Sequence, residues 1–73
     1  MNRAMVERHL KETEQHIMLG LKHLTRQHEI IAELRRDGHD TVQAEELLVT
    51  LEQSQELHNT TRARILDELG SAT

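Results

Sequence analysis

Apolar residues recur along this chain at the spacing of a helix-packing seam. In the first half Leu10, Ile17, Leu24 and Ile31 return every seven residues. Val6, Thr13, Gly20 or Leu21, Gln27 or His28, and Leu34 fill the alternate positions. In the second half Ala44, Leu51, His58, Ile65 and Ala72 form one column. Leu47 or Leu48, Ser54 or Gln55, Thr61 or Arg62, and Leu69 lie between them. Interleaved columns of this period mark left-handed coiled-coil packing. No proline interrupts either run, so nothing forbids long helices. The pattern predicts an all-α chain, one antiparallel two-helix hairpin with helices over about residues 3–37 and 41–69, a turn over about 38–40 and a short tail after about 70.

The break between the helices has a physical basis. Gly38 can take the left-handed conformation that ends a helix, and Arg35 and Arg36 suit the preceding C-terminus. Asp40 is a good N-cap, and Gln43 three residues later is placed to complete a capping box. So short a connection requires antiparallel neighbours. Gly70 is expected to stop the second helix. A turn centred near residue 39 sets Ile31 near Leu47, Leu24 near Ser54, Ile17 near Thr61 and Leu10 near Glu68. It also sets His58 opposite Gly20. Glycine inside a helix costs about 1 kcal/mol against alanine, so Gly20 suggests room made for a bulky neighbour. His58 is one candidate, and close approach of another subunit is the other reading.

Apolar residues exceed what one seam uses. Met18, Leu19, Leu21, Ile30, Leu48, Leu57 and Leu66 extend onto neighbouring faces. A two-helix hairpin has one interface and would leave many of them in water, and contiguous exposed apolar strips mark partner surfaces. Two hairpins packed face to face would form a four-helix bundle, and twofold dimers are the commonest assembly. Met18, Leu21, Ile30, Leu48, Leu57 and Leu66 are therefore the expected oligomer surface.

Composition strengthens that expectation. The chain has 73 residues, and below about 70–80 residues a lone core is marginal. There is no cysteine, so disulfides and thiolate metal sites are excluded. There is no Phe, Tyr or Trp either, which suits interdigitated helices better than small-molecule pockets. No apolar run approaches the ~20 residues that cross a membrane, and the N-terminus lacks a hydrophobic signal region. A cytoplasmic protein is expected, and the net charge of −4 argues against a general nucleic-acid binder. Residues 1–36 hold seven basic and five acidic residues, whereas residues 37–73 hold two basic and eight acidic. Opposite balances favour one helix lying against the other, although exposed pairs stabilise little.

Six histidines stand out. His9, His16 and His23 form a column one position before the seam. Seven residues span roughly 10.5 Å of helix, too far for two of them to share an ion. No His–His pair has the spacing of three or four that one helix needs for chelation. Glu12 and His16 are four apart, as are Glu29 and Glu33, which leaves room for a carboxylate-rich site between subunits. The Glu-x-x-His pattern of di-iron bundles is absent. His58 differs because it sits in the seam, where a polar residue commonly fixes register or oligomeric state. Ser54 lies four residues before His58, but no third member or oxyanion hole accompanies them. The sequence designates no catalytic residue, metal ligand or cofactor.

Two resemblances touch these residues. Ser54-Gln55-Glu56-Leu57-His58 resembles the Ser-Gln-Glu-Leu-Asp motif of the sporulation-type aspartyl-phosphate phosphatases, which are also helical hairpins. The motif's final aspartate is His58 here. That resemblance implies action on phosphorylated response-regulator proteins through Gln55, Glu56 and His58. More broadly, His16-Ile17-x-x-Gly20, Gly38-His39-Asp40-Thr41, Ala44, Leu47-Leu48, His58 and Arg62-x-Arg64-Ile65-Leu66 look like small hypothetical helical-hairpin proteins of alphaproteobacteria. This second likeness implies the hairpin and no activity. The function expected is a non-enzymatic protein–protein interaction or regulatory module acting as a homodimeric helical bundle. A phosphatase-like regulator and a metal- or pH-responsive assembly are the alternatives.

Overall fold

A computed structural model describes residues 2–71. Two helices account for nearly all of them: α1, Arg3–Arg36, and α2, Val42–Ser71. They pack against each other as an antiparallel hairpin measuring 56 × 14 × 13 Å over its Cα atoms. Among the described residues no helix is long and apolar enough to cross a membrane.

Each helix begins and ends for a local reason. The Asn2 side chain accepts from the backbone N–H groups of Ala4 and Met5, at 3.0 and 3.3 Å, and so caps α1. Gly38 has φ of +76°. With it in that conformation, Gly38 N–H donates to the Arg35 carbonyl and His39 N–H to the Leu34 carbonyl, at 3.2 and 2.8 Å. These are the paired bonds of a Schellman closure, which satisfy carbonyls that the helix end leaves free. Asp40 Oδ1 then accepts from Val42 N–H at 2.9 Å, starting α2 with an Asx turn.

Three boundaries differ from the sequence expectation. Asp37 lies outside α1, and α2 starts at Val42. The Gln43 side chain makes no hydrogen bond to Asp40 among the described residues, so the reciprocal half of a capping box is missing and the Asx turn carries the cap alone. Gly70 does not stop α2, which continues to Ser71. Ser71 Oγ donates to the Asp67 carbonyl at 3.0 Å, and glycine's cost of about 1 kcal/mol is tolerable beside such a bond. Ala72 and the rest of the expected tail lie outside the described residues.

The buried face follows the seven-residue repeat. On α1 it comprises Val6, Leu10, Thr13, Ile17, Gly20, Leu24, Gln27, Ile31 and Leu34, each buried or half-buried. Ala44, Leu48, Leu51, Gln55, His58, Arg62, Ile65 and Leu69 match them on α2. Where the sequence left two residues open, the inward one is Gly20, Gln27, Leu48 or Gln55; at 61 and 62 both residues are half-buried. The core is thin. Ile31 and Ile65, at 6% and 3% exposure, are the buried apolar residues, against three buried polar ones, Thr13, Gln27 and Gln55.

Candidate functional site

The polar residues of the interface are arranged as two crossed bonds. Gln27 of α1 donates Nε2–H to the Ala44 carbonyl of α2 at 2.8 Å. Gln55 of α2 donates Nε2–H to the Ile17 carbonyl of α1 at 2.9 Å. Each helix thus sends one buried amide to the backbone of the other. These carbonyls already accept within their own helices and offer a second lone pair. Gln55 Oε1 is buried without a partner.

Gly20 explains how Gln55 fits. A Cβ at position 20 would collide with Gln55 Oε1 and lie 3.0 Å from its Cδ. The bulky neighbour of Gly20 is therefore Gln55, not His58. The register accounts for the difference. Gly20 meeting Gln55 sets α2 about three residues, nearly one helical turn, off the register of a turn centred on residue 39. His58 instead meets His16, with ring centroids 5.4 Å apart and planes inclined at 53°.

These two rings border a groove on one face of the hairpin, together with Leu19, His23, Leu51 and Ser54. His58 is half-buried and His16 is exposed. Apart from their mutual contact, neither ring has a partner among the described residues. The column of His9, His16 and His23 runs along this face, and only His16 is brought against a second histidine.

The opposite edge is charged. Arg62 Nε and Glu14 Oε2 are 3.2 Å apart, and Arg35 joins Glu45 at 2.9 Å. Among the described residues these are the two pairs that cross between helices; Arg3–Glu7, Arg26–Glu29 and Arg26–Glu33 lie within α1. Hydrogen bonds to Glu29 and then Glu33 hold the Arg26 guanidinium above its usual pKa. The Arg62–Glu14 pair has its base on the acidic half of the chain and its acid on the basic half. All these side chains are at least two-fifths exposed, so solvent screens each pair and its contribution to stability is small.

The remaining surface residues fall into two groups. Met18, Leu21, Leu57 and Leu66 are exposed, as are Leu19 and Leu47. Ile30 and Leu48 are half-buried against the hairpin itself. The seam pattern admitted Gln27 and Gln55, but nothing in it says what their amides bond to. The His16–His58 contact is legible only once the register is known. Gln55 is buried and bonded to the Ile17 carbonyl. The chain matches no family model, no curated protein and no solved structure.

Proposed function

We propose that this chain is a small, non-enzymatic protein–protein interaction or regulatory module that works as a homodimeric helical bundle. The observation that carries the reading is the imbalance between what the hairpin buries and what it leaves in water. Its two buried apolar residues contrast with Leu19 and Leu57, each more than half exposed. A chain of this length with so thin a core draws its stability from a further interface.

The groove face is the better candidate for that interface. The repeat sets His9, His16, His23 and Ile30 of α1 on the same side as Leu47, Ser54 and Thr61 of α2. Leu19 and Leu57 flank this side and are 52% and 65% exposed. The other edge carries the charged pairs Arg35–Glu45 and Glu14–Arg62. A second hairpin laid on the groove face would cover apolar side chains without desolvating those ions, whose burial would be costly.

Thermal unfolding followed by circular dichroism at several protein concentrations tests this reading. Folding coupled to dimerisation makes Tm rise with concentration, and Leu57→Lys should lower Tm and weaken that dependence. A wild-type Tm that does not change with concentration would overturn it.

A further inference from the structure

The His16–His58 contact brings one imidazole from each helix together, with ring centroids 5.4 Å apart. We infer that the two imidazoles form a cross-helix site for a borderline divalent transition-metal cation such as Zn2+, with the remaining coordination positions filled by water. With Zn–N bonds of about 2.0–2.1 Å the ion lies roughly 3.2 Å from each ring centroid, so two imidazoles at a tetrahedral angle have centroids about 5.2 Å apart. The observed separation is 5.4 Å, and the planes are tilted by 53° and so not stacked face to face.

Three further observations fit the same site. Neither ring has another partner among the described residues, so a lone pair on each neutral imidazole is available. In the single hairpin, before a second copy covers the groove face, His16 is exposed and His58 half-buried, which gives an ion a route in. The groove is lined by no Arg or Lys that would repel a cation and by no carboxylate. The donor set selects the metal: imidazole suits Zn2+, Cu2+ and Ni2+, whereas Mg2+ and Ca2+ need oxygen ligands. Among the described residues no three His, Asp or Glu side chains gather closely enough to hold an ion, so the site is bidentate and exchangeable. His23 borders the groove but lies two turns from His16, out of reach of the same ion. An ion held by one residue of each helix would staple the hairpin far from its turn.

Titration of the full chain with zinc chloride at about pH 7.5, where imidazole is neutral, tests the inference by histidine ring NMR signals and by Tm. His16 and His58 should move together and saturate before the other four histidines respond. At a free concentration about ten times the dissociation constant, Tm should rise by roughly 5–10 °C. His16→Gln, which removes one of the two ligands, should weaken binding at least about tenfold. His58→Gln should do the same, and His9→Gln should bind as the wild type does. Simultaneous, unsaturated shifts of all six histidines would overturn the inference, as would unchanged affinity in His16→Gln.

Discussion

Gly20 and Gln55 occupy one another's space: the missing side chain of Gly20 is where the buried amide of Gln55 lies. The amide is held there by its bond to the Ile17 carbonyl, 2.9 Å away. Alanine has the higher helix propensity by about 1 kcal/mol, yet Gly20→Ala should destabilise the hairpin by about 1 kcal/mol net, because Gln55 must move and give up that bond. Gly20→Ala combined with Gln55→Ala should recover most of the loss. Chemical denaturation of the three variants measures the coupling, and strictly additive effects would contradict the contact.

Gly38 tests the turn in a different way. A Cβ there would meet nothing within 4 Å, so any cost of Gly38→Ala comes from the backbone at φ +76°. That cost should be about 1–2 kcal/mol. Gly38→Asn should be milder, since asparagine tolerates the left-handed region. Equal stability of alanine and asparagine variants would argue against a Schellman closure.

His58 stands in the seam between Leu51 and Ile65. Leucine there would bury more apolar area and remove a polar ring from a half-buried position, so His58→Leu should raise stability by about 1 kcal/mol. It should also broaden the range of assemblies, because a polar seam residue restricts register. Tm and the size distribution, measured together, check both parts; a lower Tm would show that the His16–His58 contact is itself stabilising.

The surface ion pairs should matter little. Arg35→Ala and Glu45→Ala are each expected to change stability by less than about 1 kcal/mol, with a weak dependence on salt. A larger loss in either would mean that the charge asymmetry of the two halves has more weight than packing.

How far the hairpin was legible follows from the strength of each local signal. The interval of seven between Leu10, Ile17, Leu24 and Ile31 and the Gly38–Asp40 break suffice to predict two antiparallel helices. Helix boundaries were readable to within one or two residues. The cross-helix register was not, because it depends on the backbone path between Arg36 and Val42, which the apolar pattern does not encode. That one-turn difference separates Gly20 from His58 and joins it to Gln55. It also decides that His16, rather than His9 or His23, meets His58. Gly70 lies inside α2, and a glycine near a helix terminus reads the same in the sequence whether it stops the helix or is carried along in it.

Sedimentation equilibrium of the full chain at micromolar concentration reads the proposed dimer without any label or partner. The chain mass is 8.5 kDa, and a homodimeric bundle gives a helical species of twice that mass, shifted toward monomer by Leu57→Lys. A fully helical, stable monomer at the same concentration would contradict it.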